Sequence, residues 1–285
     1  PFFQQVRQLE EWLGCALFER RAGGVHLTAA GLRLQRAAQE AFDLLERRCD
    51  ELRRSTQPAE LAVGAPASFL SNWLIPRLEA FQRDHPDIDI RIDATDTAVD
   101  LDITDIDLAL RYGPPENMPQ GAFRLFGESL TPVASPWLIK SSPPIREPKD
   151  VVGFTLIEAG DAHRSHLQWL TWRRWFDTHG LPKAQPRRWL YFNYAYQMAQ
   201  AALTGQGVVL ARSTLVSESL ANGDLVEVLP QHRLDSPMTY WLIVAPRSAQ
   251  RPEIRAFCDW LHAQAQTTRA AIGDVPDPDT VDHFD

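Results

Sequence analysis

Two polar pairs stand where a strand runs into a helix, Ser68-Phe69 and Asn193-Tyr194. Such a junction presents backbone N–H groups and a side-chain hydroxyl or amide to an anionic ligand group. Ser68 fits a plain helix cap equally well. Thr131 falls where the chain is expected to cross from one lobe to another, and Tyr240 on the strand that returns. Either could reach a ligand from the hinge, although a buried tyrosine also needs a partner for its own hydroxyl. Thr95-Asp96 closes a strand and adds a further candidate, Thr95. Arg111 would suit a carboxylate, but Asp105 and Asp107 lie close in sequence and favour a structural role.

Other residue types give no reactive pattern. His163 and His166 are three apart, with no further ligands at matching spacing, so no metal site is expected. Trp169, Trp172 and Trp175 step by three along a helix and read as core. Gly205 and Gly207 lack the third glycine of a dinucleotide loop and follow a helix, so they read as a turn. A Gly-x-Ser-x-Gly elbow, a nucleophilic cysteine motif and a phosphate loop are all missing from the sequence. The expectation is therefore a ligand-binding protein that is not an enzyme and takes no cofactor.

A different chemistry gathers in the first 28 residues. Leu9, Trp12 and Leu13 share a helical face, Gly14 stops that helix, and CALFER with VHL makes two short strands around Ala22-Gly23-Gly24. Thr28 is an N-cap for the helix that opens at Ala29. Helix, two-stranded wing and long helix together form the second half of a winged helix-turn-helix. On it, Gln4, Gln5 and Arg7 are placed to meet phosphates or base edges of double-stranded DNA. Arg20 and Arg21 enter the wing beside minor-groove phosphates, and Thr28 sits at a helix N-terminus that favours an anion. Pro1, Phe2 and Phe3 join the helix partway along, so a truncated or mis-started chain is expected.

Positioning these residues requires three further parts. From Ala29 to about Arg54 the chain reads as one helix, with Leu34, Ala38, Ala41, Leu45 and Leu52 on alternating steps of four and three. That seam suits a dimer helix, followed by a hinge at Ser55-Thr56-Gln57-Pro58. Strands then alternate with amphipathic helices, which implies a largely parallel sheet in two α/β lobes with a ligand cleft between them. Expected strands are Leu61–Ala65, Ile88–Ile92, Ile106–Leu110, Val208–Leu210, Leu225–Leu229 and Tyr240–Val244. Helices are expected around Leu74–Phe81, His166–His179, Tyr191–Leu203, Leu215–Asn222 and Ile254–Leu261. The expected divisions are 1–28 for the wing remnant, 29–57 for the linker helix and hinge, and 58–266 for the ligand domain. Within the last, lobe 1 takes about 58–131 with 245–266, and lobe 2 about 132–244. Five aspartates and two prolines after Gln266 make 267–285 a disordered acidic tail.

Composition is compatible with this plan. At 285 residues and 44% hydrophobic content the chain can build more than one core. Three cysteines match neither a zinc spacing nor a disulfide framework, so a reducing cytoplasm is expected. The sequence contains no long apolar run to enter a membrane. Net charge is −8, yet residues 1–36 carry five arginines against three glutamates, leaving −10 for the rest. An acidic body with a basic end suits a protein that meets DNA only there.

The chain resembles the LysR-type transcriptional regulators. The likeness is carried by VRQLEEWLGCALFERR…VHLTAAG, FLSNWLIPRLEAFQRDHPDIDIRI, DIDLALRYG, AALTGQGVVLA and PEIRAFCDWL. RYG and GQGV are similar to segments of the glycine-cleavage-activator and β-lactamase-regulator group. The resemblance implies an α+β chain: part of a winged helix-turn-helix, a dimerising linker helix and a two-lobed effector domain like the type II periplasmic binding proteins. It places a hydroxyl residue of relatives at Ser68, and effector contacts near Asn193 and Tyr194. It also implies a homodimer or homotetramer on promoter DNA, a small polar or anionic effector, and RNA polymerase as a further partner. The alternative is a solute-binding protein without catalytic activity.

Overall fold

The computed structural model describes residues 2–21, 24–54, 59–97, 100–160 and 168–274, and these divide into two compact units meeting at Pro58/Ala59. In the first unit, α1 (Phe2–Leu13) ends at Gly14, whose φ of +68° is open to glycine at no steric cost. β1 (Phe18–Arg21) pairs antiparallel with β2 (Gly24–Leu27), Phe18 opposite Leu27 and Arg21 opposite Gly24. Thr28 then caps α2 (Ala29–Arg54): its Oγ accepts from the Gly31 N–H at 3.0 Å and donates to the Ala16 carbonyl at 2.7 Å. Gly31 is required there, since a Cβ would lie 2.1 Å from the Leu17 carbonyl oxygen. Glu10 completes the joint by accepting the N–H groups of Leu17 and Phe18. The expected inward face of α1 is open: Trp12 is 83% exposed, and Leu9 and Leu13 are exposed as well.

The second unit holds one mixed sheet in the order β4-β3-β5-β11-β6-β9-β7-β8, with β10 beside β6. β3 (Ala59–Ala65) lies parallel to β4 (Ile88–Ala94) and β5 (Leu108–Gly113), and β7 (Thr155–Ala159) parallel to β8 (Arg188–Phe192) and β9 (Val208–Arg212). The two parallel groups are joined by antiparallel pairing of β6 (Phe123–Ala134) with β11 (Leu234–Val244). β10 (Val226–Glu227) is only a short partner of β6. The sheet is therefore mixed where a largely parallel one was expected, because the two crossing strands run against their neighbours. β7 was not expected, and of β8 only the end that leads into the helix at Asn193-Tyr194 was. Tyr191 and Phe192, read as part of the lead-in to a helix, belong to β8, and the helix itself begins at Ala195.

The first lobe packs α3 (Ala67–Phe69), a π-helical turn (Leu70–Leu74) and α4 (Ile75–Asp84) on one side of its strands. Its buried core joins Leu61, Trp73, Phe81, Phe126, Tyr240 and Phe257. The second lobe carries α5 (Pro136–Lys140), α6 (Trp172–Thr178), α7 (Ala195–Leu203) and α8 (Ser213–Ala221). Trp172, Trp175 and Phe176 fill one side of its sheet, and alanines of α7 with Val216 fill the other. Trp172 and Trp175 are thus core, while Trp169 is exposed. His163 and His166 lie outside the described residues. Phe126 and Tyr240 pack in the first lobe and Leu130 and Leu234 in the second, so both crossing strands change lobe partway along. That changeover moves 239–244 into the first lobe, where a boundary at 244 had been expected.

α9 (Pro252–Ile272) runs well past Gln266, where a disordered tail had been expected. Thr268 accepts the Trp73 indole N–H at 2.9 Å, Arg269 donates to the carbonyls of Arg124 and Leu125, and Asp274 pairs with Arg124 at 2.8 Å and accepts the Gly127 N–H. Charged residues that read as solvated in composition are spent on the start of β6. Residues 275–285 lie outside the described residues.

At the other end of α9, Asp107 is buried and accepts the Ala62 N–H at 2.9 Å, the Ser248 hydroxyl at 2.6 Å and Arg251 at 2.9 Å. One carboxylate therefore ties β3, β5 and the last helix. Truncating one partner of a buried ion pair costs about 3–5 kcal/mol, because the other groups lose their acceptor. Asp107→Ala is expected to lower unfolding free energy by about 3 kcal/mol or more in urea titration. A loss below about 1 kcal/mol would show that water replaces the carboxylate.

Candidate functional site

A cavity of about 840 Å³ opens between the lobes of the second unit. Its first-lobe wall comes from the end of β3, the end of β4 and the last residues of β5. Its second-lobe wall comes from the start of α7, the end of β9 and the start of α8. Strand ends leading into helices thus face each other from both sides. Ser68 lies on one wall, Asn193 and Tyr194 on the other, and the Ser68 Oγ accepts the Tyr196 N–H across the gap at 3.3 Å. The Tyr194 N–H donates to Gln197 Oε1, and its ring stacks on Tyr196 at 5.6 Å.

The other expected contacts do not line the cavity. Phe69 is buried with its ring 4.8 Å from Trp73 and 5.1 Å from Tyr240, because the residue after Ser68 turns to the inner side of the helix. Thr131 is buried and donates to Glu227 at 2.8 Å; strand alternation aims it away from the face where Leu130 meets the cavity. Tyr240 sits one layer behind the wall, its ring 4.8 Å from Tyr112. Thr95 points to Thr97, and its neighbour Asp96 takes the place on the wall.

Arg111, read from sequence as structural, does donate to the Thr97 carbonyl at 2.7 Å, and it also lines the cavity. Arg212 was not foreseen. It closes β9 opposite Leu130, and its guanidinium carbon lies 4.3 Å over the Tyr112 ring. Tyr112 donates its hydroxyl to Glu128, which is itself buried. The same strand-end-into-helix pattern that marks Ser68 also marks Arg212 in VVLAR-STLV. Tyr112 and Glu128 carry no such signal.

This cluster is strongly coupled. Burial holds the Tyr112 phenol well above its ordinary range and raises the Tyr240 phenol, with Glu128 adding to both. Burial also raises the Glu128 carboxyl, against the pull of Arg212 and the Tyr112 hydrogen bond. Burial opposes the Arg212 charge, but Tyr112, Tyr240 and Glu128 outweigh it and raise its pKa. The guanidinium therefore stays charged beside two neutral phenols. Among the described residues, the wall carries Arg111 and Arg212 against one carboxylate, Asp96. Met118, Met198 and Met238 line the same space, and no group of three or more metal-ligating side chains occurs among the described residues.

In the first unit, Gln4 and Gln5 are exposed on α1, and Arg7 is exposed but paired with Glu11 at 3.1 Å. Arg20 and Arg21 fall on β1 opposite Val25 and Gly24, and their side chains lie outside the described residues. The Thr28 hydroxyl is occupied by the cap, which leaves it less to offer a phosphate. On α2, Leu34 and Ala38 are half-buried, Ala41 is exposed and Leu45 is 60% exposed. Phe42 and Leu44 are exposed beside them, and the Leu52 side chain lies outside the described residues.

Residues 54–266 match the family model for the LysR substrate binding domain, and residues 2–32 that for the bacterial regulatory helix-turn-helix protein, lysR family. The chain is 32% identical over 261 residues to the glycine cleavage system transcriptional activator of Escherichia coli K12, spanning 92% of this chain and 83% of that one. It is 31% identical over 258 residues to the HTH-type transcriptional activator AmpR of Pseudomonas aeruginosa, spanning 90% and 83%. The effector domain of that AmpR superposes with a TM-score of 0.56 at 30% identity, over 74% of this chain and 98% of that domain. CrgA of Neisseria meningitidis, a LysR-type regulator, shares the fold with a TM-score of 0.59 at 22% identity, over 91% of this chain and 87% of that one.

The buried carboxylate gives a pH test. A carboxyl whose folded-state pKa is raised binds its proton more tightly when folded. Its contribution is therefore full at low pH and is lost as pH rises from about 4.5 through the folded-state value. Glu128→Gln removes that loss. In urea titrations from pH 4 to 8, the stability of the variant minus that of the parent is expected to grow with pH, then level off. A flat difference would show that Arg212 holds Glu128 ionised throughout.

Proposed function

The chain belongs to the LysR-type transcriptional regulators, with a helix-turn-helix part and an effector-binding part, and from that membership we propose that a small polar or anionic molecule in its inter-lobe cleft governs its hold on promoter DNA. Members of this family bind DNA and small-molecule effectors, form oligomers and are not enzymes. The observation that carries the reading is the cavity itself. Ser68, Asn193, Tyr194 and Arg212 reach it from two lobes that share the crossing strands, so a ligand touching both walls favours one lobe arrangement over another.

DNA contact is assigned to Gln4, Gln5 and Arg7 on α1 and to Arg20 and Arg21 on the wing. The apolar seam of α2, with Leu45 exposed on it, is assigned to pairing with a second copy, as a homodimer or as a homotetramer built from two such dimers. Two curated relatives are named as activators, which supports contact with RNA polymerase as the output. The protein works in the cytoplasm, where promoter DNA is; no helix among the described residues is long and apolar enough to cross a membrane. A purely solute-binding role would leave the helix-turn-helix match without a use.

Two variants separate the parts. Leu45→Asp sets like charges against each other in the seam, and light scattering should show a mass at least halved at micromolar concentration. An unchanged mass removes this seam from the interface. Ser68→Ala should keep promoter affinity in gel shifts within about twofold while cutting the effector's change in the footprint; an undiminished ligand response takes Ser68 out of the site.

A further inference from the structure

The effector's chemical class follows from how Arg212 is held. A flat guanidinium laid on an aromatic ring uses its face for the cation–π contact and keeps its edge, with its N–H donors, for an oxyanion. Here the Arg212 guanidinium carbon lies 4.3 Å over the Tyr112 ring, Tyr240 and Glu128 also act on its charge, and the arginine lines the cavity. Other arginines of this unit have carboxylate partners of their own, as in Arg124–Asp274 and Arg251–Asp107. The opposite end of the demand is also set. Arg111, the other cation of the wall, is committed to the Thr97 carbonyl, while Glu128 is buried against Tyr112 and Asp96 stands on the wall, so a second negative charge on the ligand would meet two carboxyl groups. Beside the polar Ser68, Asn117 and Asn193, the lining has a large apolar share that includes Met118, Met198, Met238 and Leu170. Methionines adapt to irregular apolar shapes, which suits a flexible or aromatic body.

We propose that Arg212 anchors a singly charged carboxylate of the effector, and that the methionine-lined remainder of the cavity takes an apolar body attached to it. This rests on the reading of the cleft as the effector site. It deepens that reading by excluding sugars, which lack the anion, and phosphate monoesters, which carry a second charge. Arg212 is then a specificity-determining residue: a fork fixed on β9 of one lobe and steadied by Tyr112 of the other.

The test uses the full chain with three probes that share a body: 4-phenylbutyrate, its neutral amide 4-phenylbutyramide, and 2-phenylethyl phosphate. Binding is read by calorimetry, with melting temperature as a second signal. A charge-assisted fork is worth about one to two powers of ten over a neutral group. The acid is expected to bind at least tenfold tighter than the amide and tighter than the phosphate. Arg212→Met should abolish that preference while leaving amide binding within about threefold. Arg212→Lys, which keeps the charge and covers the case where the methionine variant fails to fold, should retain a reduced preference.

Ala195→Trp, which fills the cavity mouth from α7, separates this proposal from the reading beneath it. Loss of all three probes in that variant places them in the cleft. If the probes are lost there but the acid keeps its advantage in Arg212→Met, the anchor is wrong and the cleft stands. Acid binding that survives Ala195→Trp sinks the cleft reading itself. No saturable binding of the acid, or a tighter phosphate, overturns the proposed class.

Discussion

Everything in the second unit depends on one antiparallel pair, β6 with β11, serving two cores at once. A strand that stayed in one lobe would leave the other without its central partner. Instead Phe126 and Tyr240 pack in the first core, Leu130 and Leu234 in the second, and the register breaks between Asp235 and Thr239 where the pair changes lobe. Such an irregularity bends and twists a ladder while keeping it continuous. The lobes are thereby connected by backbone hydrogen bonds while each keeps its own core, with Leu215 of α8 reaching into the first.

Polar groups collect where the pair crosses. Glu128, Tyr112, Tyr240 and Arg212 come from β6, β5, β11 and β9, and each is coupled electrostatically to the others. Burying them costs desolvation, and a cluster of this kind stabilises only when its members satisfy one another. At the hinge the charge of Arg212 is set against Glu128 and the two phenols, which offsets part of that cost. Asp107 and the end of α9 hold the first lobe firmly around it, through Arg251 at one end and Arg124 with Asp274 at the other.

How much of this could be read from sequence depended on range. The wing and long helix were legible because their signals are local: a left-handed Gly14, a capping Thr28 and a Gly31 pressed on the Leu17 carbonyl. Alternation of strands with helices gave the two lobes, but Thr155–Ala159 and Arg188–Phe192 carry too little periodicity to stand out from their surroundings. In the cleft, Ser68, Asn193 and Tyr194 were found because a strand end before a helix is visible in one stretch of chain. Thr131 and Tyr240 were located at the right crossing and assigned to the wrong side of it. Which side of a strand faces a cavity is decided by tertiary packing. Arg212 shows the reverse: its local signal was present, but its meaning comes from Tyr112, a hundred residues earlier. The acidic composition after Gln266 misled for the same reason, since Asp274 is paired with a distant arginine.

The central claim, that ligand in the cleft changes the angle between two firm lobes, is tested most directly by a distance. Spin labels at Glu79 of the first lobe and Lys183 of the second, in a chain with Cys15 and Cys49 replaced by serine, report it by double electron–electron resonance. With a saturating ligand that raises the melting temperature, the distance distribution should move and narrow. A distribution that stays the same, peak and width, while the ligand is bound would contradict the account.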